Sequence, residues 1–182
     1  MVDSFNIYKK ADHLVQHFGT RDPEILADNL GIIIYNNLDA GNLLGMYCYK
    51  WRKRMIFLNR VLQYHMRMNV LAHEIGHDQL HRRSAKELFL QEFTLFNIQN
   101  STEYEANAFA AHILLDSHEV MDCAKQGCDT MTLAKEMNTD VNMILIKIAE
   151  MNRLGYDLKL PKETDATFFK NIRPDREIDN GG

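Results

Sequence analysis

Between residues 62 and 80 the apolar side chains Leu62, Met66, Val70, Ala72, Ile75 and Leu80 recur at helical spacing, which predicts a helix of about five turns sunk into a core. Its last turns carry His73-Glu74-Ile75-Gly76-His77. On a helix the two histidines lie on one face, with roughly 5–6 Å between Cβ atoms. Both imidazoles can then reach one tetrahedral zinc, whose Zn–N bonds are about 2.0–2.1 Å. Glu74 projects about a quarter-turn away, where it can take a proton from a metal-bound water rather than bind the ion. The chain has 8 histidines, so chance alone gives this pattern on the order of a few per cent of the time, and the motif needs support from its surroundings. Gly76 lowers helix propensity by about 1 kcal/mol relative to alanine, which implies that another backbone or a substrate passes close to it.

Two histidines require a third protein ligand. The acids downstream are Glu87, Glu92, Glu103 and Glu105. The alanine-rich stretch 101–115 reads as a second helix on which Glu103, Ala106, Asn107 and Ala110 share a face that packs closely on the first. Glu105 lies about 200° round from Glu103 and fits a capping box with Thr102. Glu103 is therefore the preferred ligand. Asn107, one turn on, can hydrogen-bond a histidine's remaining nitrogen.

The histidine motif followed by Glu103, Ala106, Asn107, Phe109, Ala110, Leu114 and Leu115 resembles the ImmA/IrrE family of zinc metallopeptidases, over about residues 5 to 155. The resemblance implies an α+β, zincin-like fold with one zinc per chain held by His73, His77 and Glu103. It also implies a partner, since proteins of this kind are often encoded beside helix-turn-helix repressors and relieve repression by attacking them. One departure is that the family's usual LLMP ending reads Leu114-Leu115-Asp116 here, without the helix-stopping proline.

Around these motifs the chain reads simply. Helices are expected at Ile7 to Phe18 and Pro23 to Leu30, the second opened by Asp22-Pro23. Gly31 to Tyr35 reads as a buried strand. Leu43 to Tyr49 and Met55 to Leu58 complete a three-stranded antiparallel sheet packed on the histidine helix, and everything later is expected to be helical. The basic run Lys50 to Arg54 reads as a solvated hairpin turn, or as a docking patch for an acidic partner. Residues 1–170 form a single expected domain, 171–182 a disordered tail, and the apolar stretch from Leu88 to Phe96 a packed excursion or a flap. An extended peptide substrate could lie along an exposed strand edge above the metal.

Composition bounds the rest. With 182 residues and 46% hydrophobic content the chain can bury a core without disulfide staples. Cys48, Cys123 and Cys128 lack a CxxC spacing and read as free thiols. No signal peptide or membrane-length apolar run is visible, so a cytoplasmic protein is expected. A net charge of −4 argues against a chain built to grip nucleic acid. Residues 130–156 do resemble a helix-turn-helix, although the second helix offers phosphates only Lys147 and Arg153. Tyr104, His81 and His112 are candidate oxyanion donors with none assigned, and His13, His17, His65 and His118 read as surface or core. The function expected is metal-activated hydrolysis of a peptide bond, with Glu74 as the base. The alternatives are a zinc-containing regulatory binding protein with little peptidase activity, or a DNA reader using residues 130–156.

Overall fold

The computed structural model describes residues 2–83, 90–92 and 100–159. The expected flap within 88–96 lies largely outside the described residues, as does the expected tail. In chain order the elements are α1 (Ser4–Phe18), α2 (Pro23–Asn29), β1 (Ile33–Leu38), β2 (Gly45–Lys50), β3 (Lys53–Asn59), α3 (Tyr64–Leu80), β4 (Leu90–Glu92), α4 (Ser101–Leu114), α5 (Ser117–Lys125), α6 (Thr130–Glu136) and α7 (Val141–Arg153).

Short polar side chains set most helix starts. Asp3, Asp22, Asn100, Asp116, Asp129 and Asp140 each accept a backbone N–H from the first turn of the helix they precede. Each such cap is worth about 1 kcal/mol over alanine. The start of α4 corrects one expectation: Asn100 caps it by accepting from Thr102 N at 3.0 Å, and the Thr102–Glu105 capping box does not form. Helix ends are equally local. α2, α5, α6 and α7 each close with paired backbone bonds around one left-handed residue, namely Gly31, Gly127, Asn138 and Gly155.

The sheet is mixed, with strand order β1-β3-β2-β4. β2 and β3 form the expected hairpin across the basic run, and Trp51 and Arg52 turn it with φ of 51° and 62°. Two positive φ values match the right-handed twist of the flanking strands, at a steric cost that asparagine and glycine usually avoid. β1, however, pairs parallel to β3, so the antiparallel expectation fails there. Its burial was also misread: Ile33 and Tyr35 are exposed at 39% and 44%, because β3, with Ile56 and Leu58 fully buried, takes the centre of the sheet. A short fourth strand, β4, lies against β2.

α3 packs on β2 and β3 from one side and on α4 from the other, while α1 and α7 cover α4. α4 is thus the central helix, with Phe109 fully buried among alanines. Truncating a phenylalanine in such a position costs about 3–5 kcal/mol. Within the helix-turn-helix-like pair, α7 buries its face from Met143 to Ile148 in this core rather than presenting it outward. The cysteines depart from expectation. Cys123 and Cys128 are joined, with Cα atoms 5.5 Å apart, and only Cys48 is free among the described residues. The cause is the α5 terminus, where the Gly127 turn brings the residue after it back over the last turn, so that Cys128 N donates to Cys123 O. Among the described residues no helix is long and apolar enough to cross a membrane.

Candidate metal centre

From Met68 to Asp78 every residue of α3 is buried, including Asn69, His73, Glu74, His77 and Asp78. Buried polar side chains are costly unless they find partners, so such a stripe needs a reason at each position. Asp78 has a structural one. Its carboxylate accepts from Tyr47 Oη at 2.7 Å and from Arg82 Nη2 at 2.8 Å, tying α3 to the sheet. Burial first, and then the negative Asp78, push the Tyr47 hydroxyl pKa upward.

The two histidines face α4. His73 Nε2 and His77 Nε2 stand 3.0 Å apart, and Glu103 Oε2 lies 3.2 Å from the first and 3.4 Å from the second. Ligand atoms around a tetrahedral zinc, at bonds of about 2.0–2.1 Å, sit about 3.3 Å from one another. The triangle of donors has those edges. His73 Nδ1 contacts Asn107 Oδ1 at 2.9 Å, and His77 Nδ1 contacts His81 Nδ1 at 3.1 Å. His81 Nε2 in turn meets Glu105 Oε2 at 3.0 Å.

Proton counting along these contacts is informative. Asn107 Oδ1 and the Glu105 carboxylate can only accept, so neutral imidazoles donate from His73 Nδ1, from His81 Nε2 and hence from His77 Nδ1. The Nε2 atoms of His73 and His77 then carry lone pairs aimed at each other and at a Glu103 oxygen. Three electron-pair donors facing one another repel, and a cation between them removes the conflict. Burial, opposed by the hydrogen bond to Glu103 and reinforced by the neighbouring His73, lowers the His77 pKa from 6.5 to about 4. The neutral ring that a metal requires is the form held at neutral pH. The donor set fits a metal ion.

Two glycines make the geometry possible. A Cβ on Gly76 would stand 2.9 Å from Ala106 O and 3.0 Å from Ala106 Cα, so α3 and α4 touch backbone to backbone where their ligands meet. The close approach expected at Gly76 is therefore that of α4. A Cβ on Gly45 would stand 2.7 Å from Glu74 Oε1 and 2.6 Å from Val70 Cγ1, so β2 lies directly over the fully buried Glu74.

The chain matches the model of the IrrE N-terminal-like domain, a peptidase family, over residues 27–149. It belongs to that family. A similar protein is "Uncharacterized immunity region protein 2" of Bacillus phage phi105, 39% identical over 103 residues that make up 56% of this chain and 63% of the relative. No solved structure matches the chain.

For this family member the structure brings His73, His77 and Glu103 together and sets Asn107 behind His73 and Glu74 under β2. It leaves Glu105 on His81 and places Glu92 opposite Gly45 on β4, while Glu87 lies outside the described residues. Among the oxyanion candidates, Tyr104 Oη donates to Glu150 at 2.5 Å, His112 Nδ1 contacts Lys147 Nζ at 3.2 Å, and His81 is held as above. Sequence reasoning missed Gly45, for which a glycine at a strand start was the only signal. It also missed the Glu105–His81 link, although His81 follows His77 by one helical turn. β2 is paired on both sides, so the sheet edge on its side is that of β4.

Proposed function

We propose that this protein is a zinc-dependent endopeptidase that acts on a regulatory protein, a helix-turn-helix repressor being the favoured substrate. The observation that carries this reading is the donor triangle of His73, His77 and Glu103 with the buried Glu74 beside it. Such a set has three protein ligands and no thiolate, as hydrolytic zinc sites do, whereas structural sites are closed by four. When bound, zinc supplies Lewis acidity, which polarises the scissile carbonyl and makes water acidic enough to lose a proton near neutral pH.

The chain's own residues do the remainder. Asn107 and the His81–Glu105 pair hold the two imidazoles in the tautomer that presents Nε2. Glu74 takes the proton from water and delivers it to the departing amine. The side chain is fully buried, with the β2 backbone at Gly45 lying against its carboxylate. The regulatory part of the reading is supported by the similar phage protein, whose name assigns that protein to an immunity region.

A second reading keeps the zinc and drops the catalysis, leaving a regulatory binding protein. Glu74→Gln separates the two. On the peptidase reading the variant binds zinc as wild type does and yields no fragments when mixed with a helix-turn-helix repressor that the wild type cleaves. If relief of repression survives the substitution, the regulatory effect does not come from cleavage. Stoichiometric metal in the purified wild type is required by both readings, and its absence would exclude both.

A further inference from the structure

One turn before the first histidine, α3 opens onto a cavity of about 590 Å³ that the chemistry above does not use. Its lining includes Met66 and Asn69 of α3, Met131 and Lys135 of α6, Thr139 of the α6–α7 connection and Val141 of α7. That volume lies within the range of about 300–1,000 Å³ typical of ligand sites. Asn69 is only 5% exposed and lines this space, yet among the described residues its amide makes no side-chain hydrogen bond. The Asn69 amide faces this groove without a side-chain partner from the protein, so it is placed to hydrogen-bond a ligand there.

Asn69 precedes His73 by four residues, or about 6 Å along the helix axis, and points from nearly the same face. An extended peptide covers that distance in about two residues. We propose that this cavity is a specificity subsite, in which Asn69 hydrogen-bonds an amide or hydroxyl side chain of the peptide substrate within two residues of the cleaved bond, while Met66, Met131 and Val141 hold apolar neighbours. The proposal rests on the peptidase reading for its substrate, but not for its test of binding. Methionines suit such a wall, being flexible and adaptable to more than one side chain.

Two experiments keep the subsite and the peptidase reading distinguishable. The first profiles cleavage of a proteome-derived peptide library by zinc-loaded wild type and by Asn69→Leu, with thermal unfolding as a control for folding. Wild type should prefer Asn, Gln, Ser or Thr at one position within two residues of the cut. Asn69→Leu should lose that preference at least tenfold in kcat/KM and leave the other positions unchanged, because a site built to hydrogen-bond a polar group discriminates strongly against its absence. An unchanged profile, or a uniform loss at all positions, overturns the subsite while leaving the peptidase reading intact.

The second experiment titrates 15N-labelled Glu74→Gln protein with a capped pentapeptide carrying glutamine between two methionines. The Asn69 side-chain amide resonances should shift, with binding at least tenfold weaker in protein that also carries Asn69→Leu or a groove-filling Met131→Trp. Binding without any wild-type cleavage would support the subsite and refute the peptidase reading. No shift at Asn69 would refute the subsite.

Discussion

Replacing Gly76 with alanine tests whether the α3–α4 backbone contact sets the metal centre. In a helix interior the change should stabilise by about 1 kcal/mol through propensity alone. Here the new methyl group would lie 2.9 Å from Ala106 O and 3.0 Å from Ala106 Cα, both backbone atoms that no side-chain rotation can move. Ordinary C···O contacts need about 3.3–3.6 Å, so the helices must part by roughly 0.5 Å. Overpacking of this kind costs about 1–3 kcal/mol, giving a net loss of roughly 0–2 kcal/mol for the metal-free protein. The consequence for the site is larger. Glu103 and Asn107 ride on the displaced helix, and metal–ligand distances tolerate about 0.2 Å. Zinc affinity should fall about tenfold or more. Urea unfolding of the metal-free protein and chelator competition for zinc measure the two effects. A Gly76→Ala protein that gains the full propensity increment and binds zinc as tightly as wild type would refute the reasoning.

Other perturbations give equally definite expectations. Asn107→Leu keeps the side-chain volume but removes the acceptor for His73 Nδ1, and should weaken zinc about 10–100-fold in the same competition assay. The metal-free protein should lose stability as pH falls from 6.5 towards 4. In that window unfolded His77 takes up a proton that folded His77, at about 4, does not, and His112, lowered to about 3 chiefly by burial, adds to the trend. A urea midpoint that stays flat between pH 6.5 and 4.5 would contradict it. Burial lowers the pKa of Lys147 from 10.5 to about 7, so the unfolded chain holds more protons between these values and stability should rise from pH 7 towards 9.5. Lys147→Met should flatten that rise and be more stable at pH 7, because the amine is 1% exposed on α7. Equal pH slopes for the variant and wild type would rule this out.

The fate of the charged residues on the helix-turn-helix-like pair bears on the DNA-reading alternative. Lys147 is buried beside His112, and Arg153 Nη1 donates to Tyr104 Oη and Glu150 Oε1, each at 2.7 Å. Lys147 is buried in the core and Arg153, though exposed, is held by Tyr104 and Glu150, so a DNA reader built on α7 would have to give up these contacts. On the β2–β3 turn Trp51 is exposed, and the Lys50 ammonium lies 5.2 Å from its indole centroid.

Local patterns were legible in the chain because their causes are local. The helical recurrence from Leu62 to Leu80, the i, i+4 histidines, the shared face of Glu103 and Asn107, and the Asp22-Pro23 helix start each depend on residues within a turn or two of one another. The Cys123–Cys128 closure belonged to the same class and was overlooked, since a glycine before the second cysteine marks a helix end that folds back on itself. What lay beyond the sequence were choices made by distant partners. Burial competition put β3 rather than β1 at the centre of the sheet and so fixed the parallel pairing. Glu105 satisfies His81 instead of capping its own helix because α3 and α4 meet closely at Gly76 and Ala106. Which side chains could ligate a metal was readable from the order of residues. That their donor atoms converge to within 3.4 Å, with β2 over Glu74, came from the packing of distant segments, since each depends on two backbones meeting that no periodicity records.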